Sequence, residues 1–293
     1  MHVMTDLAII NDARAGCLMP GGSWSAPLVG VHDNALSLLH GDGAFVSIVG
    51  DPARAEARSF ILPDGDFEPL LSWAREAIHV NELSRFEKAT LRIGPFIIVV
   101  SGNPLWDSRT ELAAAAETIR ANIKRKPWLI RDALFFMENL LKRRLPAQSM
   151  FREGAYRETF ISSLNDKSGF PWNLAGFGPG TTPAGDDFIS GFLLARRLTE
   201  ELAENTSKIP ADCFPRTTAA GRALLLGSAA GVFPAHLTGL GTALAASCTA
   251  ENLSGLNQAV ERTLSHGATS GSDALLGFLF GASKESAERL LMI

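Results

Sequence analysis

Hydrophobic positions in the first third of the chain come in short, often alternating runs separated by turn-forming segments rich in Gly, Asp, Asn and His. Alternation over four to six residues is typical of half-buried strands, and one stretch instead shows the spacing of an amphipathic helix. The pattern predicts six strands, at residues 28–32, 35–39, 44–49, 59–62, 89–93 and 96–100, and one helix at 67–78. Residues 1–27 show no clear period. We therefore expect a small antiparallel sheet or partly closed barrel.

From residue 106 onward the apolar positions recur at three- and four-residue intervals, as expected for helices. The predicted helices lie at residues 109–126, 128–144, 154–164, 184–203, 216–230, 235–248, 252–265, 271–282 and 284–291. The chain is thus predicted to be of the α+β class, with a β-rich N-terminal domain over 1–105 and an all-α C-terminal domain over 106–293.

Composition narrows the function classes. The 293 residues are 46% hydrophobic and 20% charged with a net charge of −4, which is typical of a globular protein and offers no basic patch for nucleic acid or an anionic membrane. Cys17, Cys213 and Cys248 are odd in number and unevenly spaced, so neither a disulfide framework nor a zinc cluster is predicted. A reducing, cytoplasmic location fits this cysteine usage.

Residues 223–250 contain no Asp, Glu, Lys or Arg. An uncharged stretch of this length is in principle long enough to cross a bilayer. Glycines and a proline interrupt this stretch near its middle, at Gly231-Val-Phe-Pro234. We interpret it as two core helices joined at that break.

The segment 173–195 is the most informative part of the chain. Gly176, Gly178 and Gly180 permit positive φ, and Thr182 followed by Pro183 resembles an N-cap and a first helical residue. The helix that follows is almost wholly apolar, which predicts that its start is buried.

Two adjacent carboxylates, Asp186 and Asp187, fall within the first turns of this helix. A buried carboxylate needs a donor, a cation or a metal, and a helix N-terminus also attracts anions. One interpretation is structural, with the two side chains complementing the helix dipole and capping nearby backbone. The other is a substrate or ion site.

A second stretch, 267–279, repeats this arrangement. Thr269, Asp273 and Gly277 follow one another much as Thr182, Asp187 and Gly191 do, although Asp186 also competes as the counterpart of Asp273. The repeat is either a chance recurrence of common helix-start residues or a sign that two helix starts share a pocket. In the second case the pocket receives six polar side chains: Thr182, Asp186, Asp187, Thr269, Ser270 and Asp273. Such a set suits Mg²⁺ held by Asp186, Asp187 and Asp273, or an amide or carbamoyl group.

The histidines and the common catalytic motifs add little. His32, His40 and His266 flank turns and are able to reach a cleft, whereas His236 is expected in the core. The motifs G-x-S-x-G, H-E-x-x-H and the phosphate-binding P-loop are absent, so nucleophilic hydrolase, zincin and P-loop functions lack support.

The run Leu174–Phe192, with its G-x-G-P-G-x-T-P-x-G-D-D-F core, resembles the signature of a bacterial family of unknown function, also labelled putative carboxylase. This family includes AllH, a subunit of the oxamate carbamoyltransferase of allantoin degradation. The block from Thr269 to Gly277 matches as well, and the resemblance extends from about Asn34 to the end. Thr181 and Ile189 stand where the family pattern has leucine.

The resemblance implies a subunit that, with two other protein subunits, converts oxalurate and phosphate into oxamate and carbamoyl phosphate. The doubled motif fits this reaction: the free N–H groups at 178–184 are expected to hold an oxyanion, and Asp186, Asp187 and Asp273 are the expected catalytic residues, which orient an amide or hold Mg²⁺. The expected substrate-binding residues are Gly178, Gly180, Thr181, Thr182, Thr269, Ser270, Gly271 and Asn34. Two other functions stay open: a non-catalytic metabolite-binding accessory subunit, and a metal-assisted hydrolase of a small amide.

Overall fold

The computed structural model describes residues 7–78, 82–101, 106–146, 149, 155–166, 169–200, 208–250 and 252–290. The chain divides into two compact units, one ending at Asp107 and the other beginning at Ser108.

The first unit is a closed eight-stranded barrel with the strand order β1-β5-β4-β3-β2-β6-β7-β8. Its strands are β1 (Ala8–Ala15), β2 (Trp24–His32), β3 (Ala35–Leu39), β4 (Phe45–Val49), β5 (Ser59–Ile61), β6 (Leu83–Glu87), β7 (Thr90–Ile93) and β8 (Phe96–Val100). The β1–β8 and β4–β5 ladders are parallel and the other pairings are antiparallel. The α+β class is confirmed, and of the two expected N-terminal alternatives, a small antiparallel sheet or a barrel, the barrel is observed, closed fully rather than partly. The two parallel ladders differ from the expected antiparallel pairing, because β1 closes the barrel against β8 and residues 50–58 return the chain so that β5 runs in the direction of β4.

Two strands, β1 and β6, were not predicted. The β1 register shifts between Ile10 and Ala13, and Asp12 has a φ of 60° there. This bulge breaks the alternation that marks a strand. The β6 sequence, Leu-Ser-Arg-Phe-Glu, is mostly polar and buries only Ser84, so its hydrophobic period is also hidden. Both strands owe their structure to pairing within the barrel.

The barrel core consists of inward-facing aliphatic and aromatic side chains, including Leu28, Leu36, Ile48, Phe60 and Ile98. Helix α1 (Phe67–Ala77) adds one apolar face to the same core, as its spacing predicted.

The second unit is helical. Its helices are α2 (Arg109–Arg125), α3 (Pro127–Arg144), α4 (Ala155–Asn165), α5 (Ala184–Thr199), α6 (Ala219–Ala229), α7 (Ala235–Ala250), α8 (Ser254–Leu264), α9 (Ser270–Ala282) and α10 (Lys284–Leu290). Each overlaps a helix that the apolar period predicts. Short 3₁₀ turns at Trp172–Leu174 and Ala211–Arg216 were not predicted.

The uncharged stretch forms α6 and α7, which are separated at the Gly231–Pro234 break, as expected from the sequence. Gly231 has a φ of 74°, a conformation that glycine adopts without strain. Over the described ranges, no helix combines the length and the apolar character needed to span a bilayer.

Helix α5 lies at the centre of this unit. It packs along α9 and also contacts α2, α6 and α7. Phe188, fully buried, makes edge-to-face contacts with Phe160, Phe170 and Phe280 at centroid distances of 5.3, 5.8 and 5.5 Å. Such contacts fix the first half of α5 in place.

Candidate functional site

Helices α5 and α9 run parallel and in close contact. Gly277 lies against the carbonyl oxygen of Phe188, and Gly281, one turn later, lies against that of Phe192. Because contacts advance in the same direction along both helices, the two N-termini lie at the same end of the pair.

The closest contacts between the two helices are reciprocal. A Cβ atom at Gly191 would lie 1.8 Å from the carbonyl oxygen of Ala274, and one at Gly277 would lie 2.0 Å from that of Phe188. Ala274 directly follows Asp273, and Phe188 directly follows Asp187, so Asp187 is the counterpart of Asp273. Each aspartate precedes its glycine by four residues and shares its helix face.

The start of α5 differs in detail from the sequence prediction. Gly176, Gly178 and Gly180 have φ values of 75°, 98° and 112°, confirming the expected positive φ. Thr182 is not the N-cap, however, and Pro183 is not helical: Pro183 has a ψ of 140° and directly precedes the helix. The closely spaced glycines and Pro183 keep the chain extended for one residue longer than the Thr-Pro pattern suggested.

Asp186 is fully buried and its two carboxylate oxygens have different partners. Oδ1 accepts a hydrogen bond from the Gly176 backbone N–H at 2.9 Å, and Oδ2 accepts one from the Thr217 hydroxyl. Burial raises the pKa of Asp186 to about 6, although these two hydrogen bonds and the nearby Arg216 oppose the increase. Gly221 leaves room for this carboxylate, since a Cβ there would lie 2.0 Å from Oδ2. Asp186 thus ties the glycine loop to the segment before α6.

Asp187 occupies the next position of α5 and is 7% exposed. Successive helical residues are rotated by about 100°, so Asp187 faces away from the loop that Asp186 binds and toward the α9 side.

Asp273 is fully buried in the first turn of α9. The Ser149 hydroxyl donates to its Oδ1 at 3.4 Å, a long hydrogen bond, and Oδ2 has no hydrogen-bond partner in the described part of the chain. Burial raises the pKa of Asp273 to about 7, with smaller opposing effects from the hydroxyls of Thr269 and Ser149. This carboxyl therefore holds its proton close to neutral pH.

The loop before α5 provides backbone donors. In the described residues, no acceptor is bonded to the N–H groups of Gly178, Gly180, Thr181, Thr182 and Ala184. Thr181 is exposed and Thr182 is half-buried, so part of this loop is open to a ligand. Free N–H groups at a helix N-terminus favour an anion.

The start of α9 is held by its own backbone. Thr269 directly precedes the helix, as predicted, without a side-chain cap, and its carbonyl oxygen accepts a hydrogen bond from the Ser272 hydroxyl at 2.6 Å. Ser270 is half-buried as the first helical residue. Gly271 donates to the His266 carbonyl oxygen at 2.9 Å, and a Cβ at this position would lie 1.7 Å from the Thr263 carbonyl oxygen.

The rings of His236 and His266 stack near this helix start, with centroids 3.9 Å apart. Both side chains are half-buried. No sequence pattern pairs these two histidines, because one lies at the start of α7 and the other after α8.

The predicted residues of the first unit lie in the barrel. Asn34 and His32 are exposed at the β2–β3 turn. His40 lies 3.0 Å from Asp42, whose carboxylate also binds Arg58 at 2.7 Å. Burial opposes ionisation of Asp42, but the hydrogen bonds from Arg58, Ala44 and His40 lower its pKa to about 2. A role of Asn34 in substrate binding stays a prediction.

Across the described residues, no three His, Cys, Asp or Glu side chains are grouped as metal ligands. The two carboxylate oxygens of Asp186 instead accept hydrogen bonds from the Gly176 N–H and the Thr217 hydroxyl.

Thr217, Gly221 and Ser149 contribute to the site but were not predicted. Thr218 caps α6 by accepting from the Gly221 N–H at 3.0 Å, so a Thr-Thr pair before a helix was a detectable N-cap signal. Ser149 has no such signal, because its contact with Asp273 joins residues far apart in sequence.

These features define a helical domain in which two parallel helices bring two buried carboxyl groups to one end, beside a glycine-rich loop with free backbone donors. Residues 174–282, which include both helix starts, match the family model described as oxamate carbamoyltransferase subunit AllH. The family resemblance predicted from the two motifs is thus confirmed over these residues, a shorter range than the one from Asn34 to the end. No curated protein and no solved structure shows significant similarity to the chain.

Proposed function

We propose that this chain is the AllH-type subunit of a carbamoyl-transferring enzyme that interconverts oxalurate plus phosphate and oxamate plus carbamoyl phosphate. The main support is that the family match spans both helix starts and the contact that brings Asp187 and Asp273 to the same end of the α5–α9 pair. We further propose that two other protein subunits complete the enzyme and that it works in allantoin nitrogen metabolism in the cytoplasm.

In the proposed reaction, a phosphate oxygen attacks the carbamoyl carbon of oxalurate. The bond between that carbon and the oxamate nitrogen then breaks, and the proton carried by hydrogen phosphate finishes on this nitrogen. The reaction needs an anion site for phosphate, stabilisation of the oxyanion on the carbamoyl carbon, and a group that transfers a proton.

The residues have distinct roles in this proposal. The free N–H groups of the Gly178–Ala184 loop bind the anionic oxygen, and the loop residues Thr181 and Thr182 contact substrate from the same side. Asp273 passes the proton to the departing nitrogen, since its pKa of about 7 lets it hold and release a proton at neutral pH. Asp187 accepts hydrogen bonds from the carbamoyl NH₂ group.

Asp186 has a positioning role in the same proposal. Its bonds to the Gly176 N–H and the Thr217 hydroxyl hold the loop in shape, so its effect on catalysis passes through the loop. Thr269, Ser270 and Gly271 support the neighbouring helix start and the Asp273 side chain.

The test is turnover by the assembled enzyme, made from this chain and its partner subunits. Asp273→Asn is expected to lower kcat for carbamoyl transfer at least about 100-fold, the usual size of a lost proton-transfer group. Asp187→Asn removes the charge from a hydrogen-bond acceptor and is expected to lower kcat at least about tenfold. The matched control is Asp132→Asn on α3, where the carboxylate is 65% exposed; this variant should keep full activity.

Assembly is checked for every variant by size-exclusion chromatography. Full turnover by assembled Asp187→Asn and Asp273→Asn enzymes would contradict the catalytic proposal and favour a metabolite-binding accessory subunit.

A further inference from the structure

A cleft lies at the other end of the α5–α9 pair. It includes the last residue of each helix, Thr199 of α5 and Ala282 of α9, whereas Asp187 and Asp273 lie at the N-terminal ends. Its volume is about 590 Å³, within the range of about 300–1,000 Å³ that small-molecule sites occupy. The cleft is therefore separate from the proposed carbamoyl-transfer site.

One wall of the cleft is a single face of α3. Ile130 and Leu134 form its buried part, with 6% and 4% of their surface exposed. Trp128 and Arg131, three residues apart, stand at the rim, where 49% of Trp128 is exposed. The wall thus places an open aromatic ring and a cation above an apolar floor.

The opposite wall comes from α10 and contributes little free charge. Arg289 donates to the buried Glu138 carboxylate at 2.8 Å and also lies 3.9 Å from Glu285, so its charge is already balanced. Arg289 also donates a hydrogen bond to the Ser286 hydroxyl oxygen at 3.3 Å. This wall closes the cleft without adding a strong site for a ligand ion.

Arg131 is the cation best placed for a ligand. The ion pair recorded for it within the described residues joins its Nε to Asp132 at 3.8 Å, and both side chains are largely exposed, at 69% and 65%. A surface pair of this length adds little stability and leaves the planar fork of the guanidinium available to a carboxylate, sulfonate or phosphate. The full charge on Arg131 also outweighs the partial negative charge at the ends of α5 and α9, which is screened at an exposed rim.

We propose that this cleft binds a small, flat aromatic or heteroaromatic molecule carrying one anionic group. The ring stacks on Trp128 and lies over Ile130 and Leu134, while the anionic group pairs with Arg131. The inference does not depend on the proposed carbamoyl transfer, because it uses none of the residues assigned to that reaction.

Two fluorescent probes that differ in one group test the proposal on the full chain. 8-Anilinonaphthalene-1-sulfonate has two ring systems and one sulfonate, and N-phenyl-1-naphthylamine is the same molecule without the sulfonate. The sulfonate probe is expected to bind with one-to-one stoichiometry. Trp128→Ala should weaken the binding of both probes at least tenfold. Trp128→Phe keeps an aromatic ring and should retain most of the affinity of the unmodified chain.

Arg131→Gln distinguishes the two probes. It should weaken binding of the sulfonate probe about tenfold and leave the affinity for the neutral probe unchanged. Arg143 is an exposed arginine elsewhere on α3, and Arg143→Gln should change neither affinity. Asp187→Asn and Asp273→Asn should bind both probes like the unmodified chain, which separates this result from the test of carbamoyl transfer. Far-UV circular dichroism verifies that each variant is folded.

The proposal is overturned if the sulfonate probe shows no saturable binding. It is equally overturned if folded Trp128→Ala and Arg131→Gln bind that probe as tightly as the unmodified chain.

Discussion

The two helix starts of the α5–α9 pair share one backbone contact but surround their carboxyl groups differently. At α5, Asp186 receives a backbone N–H and a hydroxyl, and Arg216 lies nearby. At α9, Asp273 receives a long hydrogen bond from the Ser149 hydroxyl at 3.4 Å, and the Thr269 hydroxyl also lowers its pKa. Burial raises the pKa of both, to about 6 for Asp186 and about 7 for Asp273.

This difference separates structural from chemical use of a buried acid. Donors on both oxygens make Asp186 a fixed link between the glycine loop and the segment before α6. Asp273 has fewer hydrogen-bond donors and a pKa raised to about 7, and in the proposed reaction it is the group that transfers the proton. The same residue type at two related helix starts thus has two different environments, to which we assign the two proposed roles.

The largest expected effect comes from the contact that the two helix starts share. Gly277→Ala adds a Cβ atom that would lie 2.0 Å from the Phe188 carbonyl oxygen. This distance is too short for a non-bonded contact, so the two helices must move apart. We expect a loss of about 3 kcal/mol or more in the free energy of unfolding, measured by urea denaturation. Gly239→Ala on α7 is the matched control, because nothing lies within 4 Å of its Cβ position. It should stabilise the protein by about 0.5–1 kcal/mol. Equal effects of the two substitutions would refute the close helix contact.

Asp273→Asn sharpens the comparison through pH. The folded-state pKa of Asp273, about 7, lies above the ordinary value of 3.8, so the folded protein holds this proton more tightly than the unfolded chain. The protonated Asp273 side chain therefore stabilises the fold fully below about pH 4, and this stabilisation is lost as pH rises through about 7. The free energy of unfolding therefore falls by on the order of 4 kcal/mol between pH 4 and pH 8, because the pKa differs by about three between the folded and unfolded states and each pKa unit corresponds to about 1.36 kcal/mol. The Asn variant, neutral throughout, should match the unmodified chain near pH 4 and exceed it in stability at pH 8. Parallel stability curves from pH 4 to pH 8 would show that Asp273 is already ionised in the folded protein.

Asp186→Asn tests the other side of the comparison. An amide keeps one acceptor oxygen where the carboxylate offers two, so either the Gly176 N–H or the Thr217 hydroxyl loses its hydrogen-bond acceptor. The expected cost is about 1–3 kcal/mol in the free energy of unfolding. Because Thr217→Val removes one of the same bonds, the double variant should lose less than the two single losses combined. Strict additivity would mean that Asp186 and Thr217 do not interact.

The smallest effect is expected at Ser149. Its hydrogen bond to Asp273 is 3.4 Å long, so Ser149→Ala should cost no more than about 0.5–1 kcal/mol by urea denaturation. A loss above 2 kcal/mol would place Asp273 in an environment as well supplied with donors as that of Asp186.

The sequence predicted elements well where one local period dominated. The helices of the second unit follow from three- and four-residue apolar spacing, and the break between α6 and α7 follows from Gly231 and Pro234. Strands β1 and β6 were missed because a bulge at Asp12 and a polar composition hide their alternation, and barrel closure depends on pairings such as β1 with β8 that no local pattern records.

The repeat of Asp and Gly in two segments predicted that the two helix starts belong together, and the reciprocal positions of Gly191 and Gly277 agree with it. The partners of each acid were beyond sequence reasoning. Thr217 reaches Asp186 and Ser149 reaches Asp273 only after folding brings distant segments into contact.

A crystal structure of the assembled enzyme with bound oxamate and carbamoyl phosphate would test the central claim most directly. We predict that the oxamate nitrogen lies within hydrogen-bond distance, about 2.7–3.2 Å, of the Asp273 carboxyl group, with Asp187 close enough to contact the transferred carbamoyl group. Oxamate bound wholly on a partner subunit, with Asp187 and Asp273 bonded only to their own chain, would contradict the claim.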